Sequence, residues 1–421
     1  MLVMKFGGAS VKDAPSIRNV AEIIAHHAAH PMLVVISASG KTTNHLEELA
    51  FLAKSNQEEA TFRKLGNIRT YHQAILDELF GENAGTVQEK VNNFFKEIKR
   101  IVQGILLLEE FPPRTYDRIV SFGELLSTTI VAGYLQHQQK DCLWVDAREL
   151  VKTDANYQAA NVIWSLTSKN IQEEIGPQLQ PGRSIITQGF IGSTISGKTT
   201  TLGREGSDYT ASIFAHCLQA EKLMVWKDVR GILNADPRLR TDTIKIDRLS
   251  YEEAVEMTFY GASVIHPKTI KPIFNKQIPL LVKCFLDVHE DGTRISEDVN
   301  PEPITSYIVK KNQTFIHIKP KDFSFMDERL MQQIFNHVYK SGLKVNLVQT
   351  TAISMMLCVD APEAIMEEFK ALLLDDFVIE TESELKLFTI MNFNIRDLKQ
   401  AQDALMVQQN ENKLYFVKRE K

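Results

Sequence analysis

The chain has 421 residues, 44% hydrophobic and 24% charged, with 48 Lys+Arg against 53 Asp+Glu and a formal net charge of −5. That length supports two or three domains with several cores, and the near-balanced charge excludes a protein built mainly to coat nucleic acid. Composition also excludes collagen, a disulfide mini-protein and wholesale disorder. In chain order, Leu2 to Phe6 reads as a strand. Pro15 to Ala29 reads as a helix, with Ile17, Val20, Ile23 and Ile24 at helical spacing. Met32 to Ser37 is a near-continuous apolar run, as a strand covered on both faces should be. Ile185 to Ile191, Leu223 to Trp226 and Pro279 to Phe285 look similar. This alternation predicts α/β architecture with a mainly parallel sheet. Gln57 to Leu108 is long, charged and helical, an insertion beside the sheet.

Pro301-Glu302-Pro303 suits an extended connector. Beyond it the pattern predicts strand Thr314 to Ile318, helix Asp327 to Lys340, strands Lys344 to Gln349 and Ile353 to Val359, and helix Pro362 to Leu374. A shorter pass follows: strand Leu385 to Met391, helix Ile395 to Met406, strand Lys413 to Val417. The expected domains are therefore 1–295 and 296–421, the second a βαββα unit with a shortened repeat. The N-terminal apolar run is too short for a signal peptide, and no apolar stretch reaches the roughly 18 residues of a membrane span. Cys142, Cys217, Cys284 and Cys358 are scattered, with no CxxC pair. No metal cage is expected, and a cytoplasmic protein with reduced thiols is.

Five stretches carry chemistry. In KFGGAS, Lys5 to Ser10, a strand ends at a lysine and two glycines precede a helix. Glycines let backbone N–H groups approach an anion, and the lysine adds a point charge suited to phosphate. A tight turn with a surface lysine is the alternative. SASGKTTN, Ser37 to Asn44, places small hydroxyl residues at a strand's C-terminal end, where open α/β sheets put ligands, although by itself it reads first as an ordinary polar loop. In SFGELLS, Ser121 to Ser127, Glu124 is expected in the first turn of an apolar helix, a structural carboxylate or one that receives an ammonium.

Ile186 to Ser212 contains Gly192-x4-Gly197-Lys198-Thr199, a formal P-loop match. A P-loop needs a helix to begin at the Lys-Thr pair. Thr199 to Leu202 instead has β character, so the match is read as false. TLGREGSD, Thr201 to Asp208, is the better phosphate loop, with Ser207 or Asp208 as N-cap of a helix to Leu218. WKDVRGILNADPR, Trp226 to Arg238, runs from a strand through a Gly turn and suits a nucleotide base and ribose, or an ordinary polar connection.

Together with YGASVIHP, Tyr260 to Pro267, these stretches resemble the aspartate kinases of the amino-acid kinase family, in order along most of the chain. The resemblance implies a three-layer α/β/α sandwich with a C-terminal α+β, ACT-like (ferredoxin-like) regulatory region. It implies transfer of the ATP γ-phosphoryl group to the side-chain carboxylate of L-aspartate, the first step toward lysine, threonine and methionine. By motif position, Lys5 resembles the lysine that holds the transferring phosphate, with Gly7 and Gly8 lining the loop. Arg204 resembles the partner of the aspartate α-carboxylate, and Glu124 that of its ammonium. Asp208 resembles the carboxylate that orders the lysine. Ser39 and Thr43 would line the substrate pocket, and Lys227, Asp228, Asp236 and Arg238 would hold the nucleotide. ATP with Mg²⁺, a lysine or threonine effector and a homodimer complete the expectation. The chain departs from the family pattern at Ala9 (usually Thr), Glu205 (usually Gly), Ser263 (often Lys) and Asn346 (often Asp in lysine-inhibited relatives).

Overall fold

The computed structural model describes residues 1–262, 265–297, 303–360 and 362–419. Ser263, and Pro301 and Glu302 of the connector, lie outside the described residues. Two compact units make up the chain. The first comprises Met1–Ile232, Asp247–Ala254 and Ile265–Asn300; the second comprises Leu233–Ile246, Val255–Val264 and Pro301–Lys421.

The first unit is organised by an eight-stranded sheet. β1 (Leu2–Phe6) and β2 (Met32–Ile36) pair in parallel near its centre, Leu2 opposite Met32 and Phe6 opposite Ile36. Beyond β2 come Ser184–Gln188 and then β3 (Cys142–Val145). Beyond β1 come Lys222–Lys227, Leu280–Cys284, Thr293–Ile295 and Arg248–Leu249. Among the described residues, only the Leu280–Cys284 and Thr293–Ile295 pair of this sheet is antiparallel. Every residue of β1, β2 and Ser184–Gln188 is buried. Their continuous apolar runs follow from helices covering both faces of a parallel sheet.

α1 (Ala14–His26) starts where Asp13 accepts the Ser16 N–H at 2.9 Å. α2 (Thr42–Lys54) leads into α3 (Glu58–Phe80) and α4 (Gly85–Leu108), the charged helices anticipated between 57 and 108. α5 (Pro113–His137) corrects one expectation. Pro112-Pro113 begins the helix, Pro113 standing where a missing N–H costs nothing. SFGELLS therefore lies mid-helix, and Glu124 is far from the N-terminal potential once assigned to it.

The run Ile185 to Ile191 is two strands, because Phe190 takes a left-handed φ of 67°. The second, Ile191–Thr194, folds back as an antiparallel hairpin with Thr199–Thr201. Lys198 sits in that turn, its N–H donating to Thr194 Oγ1 at 3.1 Å. No helix begins at Lys198-Thr199, which is the physical reason for rejecting the P-loop.

In the second unit, Ser306–Pro320 pairs along its length with Phe377–Met391 in a six-stranded antiparallel sheet. Irregularities around Gln313 divide that long ladder into two halves. The half made of Thr314–Pro320 and Phe377–Glu382 continues to Ser354–Asp360 and Lys344–Thr351, with helices Glu328–Ser341 and Glu363–Leu373 packed on it, a ferredoxin-like βαββαβ unit. The half made of Ser306–Lys310 and Leu387–Met391 continues to Lys413–Arg419 and Met406–Gln409. The helix expected over Ile395 to Met406 is instead a 3₁₀ turn, Ile395–Ala401, with an Asn394–Asp397 capping box. Ile395 and Leu398 are left exposed, so too little apolar surface is buried to sustain longer helix.

One buried group gives this fold an acid limit. His72 of α3 is fully enclosed, its Nδ1 donating to Ile68 O at 2.8 Å, and its ring packs edge-on against Tyr71 and Phe95. Nε2 has no partner among the described residues. Burial pushes the imidazole down to about 4. The neutral ring is therefore favoured in the folded state, and stability falls as pH drops from 6.5 toward 4. Between pH 7.5 and 5 the wild type should lose about 2 kcal/mol more than His72→Leu, read from urea midpoints.

Candidate active site

The C-terminal ends of β1 and β2 open into a cleft of about 640 Å³. It is lined by Lys5 and Gly8, by Ser37, Ala38, Gly40, Thr43 and Asn44, by Tyr116 and Glu124 of α5, and by the stretch Gly203–Ser207. The positions follow from local structure. β1 ends at Phe6 and turns through Gly8–Val11. A side chain at residue 8 would press its Cβ to 2.7 Å from both Ala38 O and Gly40 O, so only glycine admits this approach of the two loops. A Cβ at Gly123 would likewise sit 2.8 Å from the Ala38 methyl, and its absence lets α5 pack beside β2's end. Ser127 Oγ donates to Ser37 O at 2.8 Å across the same junction.

Lys5, which lines the cleft, belongs to a charge cluster. Lys5 Nζ stands 2.6 Å from Asp208 Oδ1, and Lys227 Nζ 3.5 Å from Asp208 Oδ2. Asp208 is wholly buried. Burial pushes its carboxyl up, but Lys5 and Lys227 outweigh that and hold it below the usual range. Two ammonium groups on one carboxylate give the trio a net positive charge, as an anion site requires. A Cβ on Gly7 would lie 3.6 Å from Lys5 Nζ, so the glycine leaves the ammonium approachable.

Glu124 is enclosed differently. Oε1 accepts only the Ala38 N–H, at 3.2 Å, and Oε2 has no partner among the described residues. Burial pushes the carboxyl up to about 8, with the Ala38 N–H and Lys5 pulling weakly against it. Arg204, across the cleft, is exposed. Glu205 beside it holds a left-handed φ of 55°, a conformation that favours glycine.

Other expectations fare differently. Thr43 lines the cleft. Ser39 does not: it is wholly buried, and its carbonyl accepts from Thr42 Oγ1 at 2.6 Å. The helix after the phosphate loop is Gly206–Cys217, with Glu205 at the N-cap position. Neither Ser207 nor Asp208 caps it, because both are already helical and Asp208 is turned to the lysines. Asp228 is exposed past the end of Lys222–Lys227. Asp236 and Arg238 belong to the second unit, where they pair with each other at 2.7 Å. Glu47, Tyr116, Gln158 and Phe190 of the lining were not anticipated. Tyr116 was detectable only by its place two turns before Glu124.

Comparison with known proteins identifies relatives of the chain in sequence and in fold. The sequence pattern of the amino acid kinase family matches residues 1–284. Lysine-sensitive aspartokinase 3 of Escherichia coli is 32% identical over 362 residues, 86% of this chain and 78% of that one. Aspartokinase 1, chloroplastic, of Arabidopsis thaliana is 31% identical, covering 90% of this chain and 67% of that one. The crystal structure of E. coli aspartokinase III in complex with aspartate and ADP superposes with a TM-score of 0.86 at 28% identity, over 100% of this chain and 96% of that one. The same enzyme with lysine and aspartate gives a TM-score of 0.80. A two-lysine, one-carboxylate cluster under a glycine loop, on a fold shared along the full chain, leads to one assignment: this chain belongs to the amino acid kinase family and, within it, to the aspartokinases.

Proposed function

We propose that the protein transfers the γ-phosphoryl group of ATP to the side-chain carboxylate of L-aspartate, giving 4-phospho-L-aspartate. The observation that carries this is the gathering of Lys5, Glu124 and Arg204 around one cleft. A guanidinium and a buried carboxyl group facing one space make a receptor for an amino acid. The attacking carboxylate has an ordinary pKa near 3.9 and is ionised at neutral pH, so no general base is required. The protein's task is to align two anions and to balance charge on the phosphoryl group in transit.

Arg204 pairs with the α-carboxylate and Glu124 with the α-ammonium, with Thr43 and Ser39 shaping the loop around the substrate. Lys5 reaches the transferring phosphate, the Gly7 and Gly8 backbone lies along it, and Asp208 keeps Lys5 in place. Lys227 and Asp228 are assigned to the nucleotide. Mg²⁺ is assigned to the triphosphate, since it commonly keeps waters and substrate phosphates as ligands.

Residues 1–295 carry the reaction and 296–421 regulate it. The E. coli relative is named lysine-sensitive, which makes lysine the first effector to test here and threonine the second. Asn346 of the C-terminal sheet accepts from Lys310 Nζ at 2.8 Å and donates to Gln313 at 2.7 Å. An effector ammonium would therefore compete with the protein's own lysine. A cytoplasmic homodimer completes the reading. No helix among the described residues is long and apolar enough to cross a membrane.

The test is aspartyl hydroxamate formation from L-aspartate, Mg-ATP and hydroxylamine. Wild type and Lys198→Ala should both form it at similar rates, since Lys198 sits in a hairpin turn. No hydroxamate from folded wild type at saturating substrates would overturn the proposal.

A further inference from the structure

Two turns before Glu124, α5 carries a second buried carboxylate that does not line the cleft. Asp117 is wholly buried and touches three backbone or hydroxyl donors of other segments. Gln158 N–H donates to both carboxylate oxygens at 3.0 Å. Thr201 N–H donates to Oδ2 at 2.9 Å, and Thr201 Oγ1–H to Oδ1 at 3.0 Å. Gln158 is held at a left-handed φ of 70°. The two segments are also joined to each other. Ala160 N–H donates to Thr201 O at 2.9 Å, and Gly203 lies so close to Gln158 that a Cβ would stand 3.1 Å from its carbonyl oxygen.

Thr201 and Gln158 line the cleft, and Arg204 follows Thr201 by three residues. Residues 117 and 124 lie on the same face of α5, because seven residues make almost two full turns. One helix face thus presents Glu124 to the cleft and, through Asp117, anchors the strand end that leads to Arg204. We propose that Asp117 is a positioning residue for the amino-acid end of the cleft. Its carboxylate fixes the Thr201–Arg204 segment and Gln158 relative to Glu124, and so sets the spacing between the carboxylate-binding and ammonium-binding ends. The inference rests on the roles given to Arg204 and Glu124 above. No lysine or arginine pairs with Asp117 among the described residues, so its charge is balanced by those donors alone. Burial raises the carboxyl and the donors from Gln158 and Thr201 pull it back only in part. A carboxylate kept at that cost has the geometry of the loops to show for it.

Asp117→Asn keeps the shape but turns an NH₂ group toward N–H donors. Arg204 is then held less firmly, and displacements near 1 Å at a reacting pair lower rates by about a hundredfold. The expected result is a KM for aspartate raised about tenfold, with KM for ATP within about twofold of wild type. The kcat/KM preference for L-aspartate over L-glutamate, one methylene longer, should fall about fivefold. Thr201→Val removes only the hydroxyl donor and should shift KM for aspartate in the same direction, about threefold, with the melting temperature within about two degrees.

A loss of kcat with both KM values and the aspartate preference unchanged would reduce Asp117 to a structural residue and overturn the inference. If Asp117→Asn does not fold, Thr201→Val decides, and an unchanged KM for aspartate overturns it. Wild type is assayed first. Wild type that turns over aspartate while both variants keep its KM sinks this inference alone. Wild type that yields no aspartyl hydroxamate sinks the proposed reaction and this inference with it.

Discussion

Lys5→Ala should lower kcat about a thousandfold while leaving KM for aspartate nearly unchanged. Lys5 is the ammonium of the charge cluster that lines the cleft, and it stands 2.6 Å from Asp208. A fixed cation aimed at a phosphoryl group acts where charge is redistributed in the transition state, so its loss appears in kcat. The variant also leaves Asp208 buried with only Lys227, at 3.5 Å. Removing one partner of a buried pair typically costs about 3–5 kcal/mol, and the remaining lysine should hold the loss toward the low end. Asp208→Asn separates the two effects. It leaves Lys5 in the cleft without its anchor, and kcat should fall about a hundredfold. In Lys5→Ala/Asp208→Asn the losses should not add, because each residue acts through the other. Hydroxamate rates together with urea midpoints for all three variants check this. A Lys5→Ala enzyme within tenfold of wild type would remove the lysine from the mechanism.

How far the sequence reveals this site depends on what each residue does. Lys5, Gly7 and Gly8 were legible because β1 is an uninterrupted apolar run that ends in a lysine and two glycines. The parallel sheet was legible for the same reason, since strands buried on both faces leave a continuous apolar trace. Glu124, which lines the cleft, was legible as a residue to single out but was misplaced in its helix. Ser121 and Glu124 look like a helix start, yet α5 is buried along nearly its whole second half, where polar residues interrupt the pattern without ending the helix. The first half of Phe377–Met391 was missed because its Glu-rich sequence alternates between partly covered and exposed positions, and its pairing partner lies far away in the chain. Glu205 shows a different limit. Its left-handed backbone is imposed by the turn into Gly206–Cys217 and has no trace in the side chain that occupies it. Asp117 is the least legible of all. Its importance lies in backbone donors at Gln158 and Thr201, and a sequence does not display where backbone N–H groups point.

The second large effect concerns pH. The Glu124 carboxyl is pushed up to about 8 by burial, so at pH 7 it carries its proton about nine times in ten. An aspartate ammonium placed against it supplies the missing counter-charge and favours the ionised form. Binding one aspartate at pH 7 should therefore release close to one proton. The sign follows: KM for aspartate should fall about tenfold per pH unit between 6 and 7, flatten near 8 and stay level above it. The same elevated pKa works against folding. A carboxyl whose folded pKa lies above its ordinary 4.5 loses stability as pH rises from 4.5 toward 8, about 3 kcal/mol by pH 7. Bound aspartate offsets that loss, so its protection against urea should be greater at pH 8 than at pH 6. Calorimetric titrations in two buffers of different ionisation enthalpy count the released proton directly. Glu124→Gln should abolish the release, raise KM for aspartate about a hundredfold and make what binding remains independent of pH over this range. A wild-type protein that binds aspartate with no proton release and with a KM flat from pH 6 to 8 would mean that Glu124 does not meet the ammonium, and the amino-acid end of the cleft would have to be assigned to other groups.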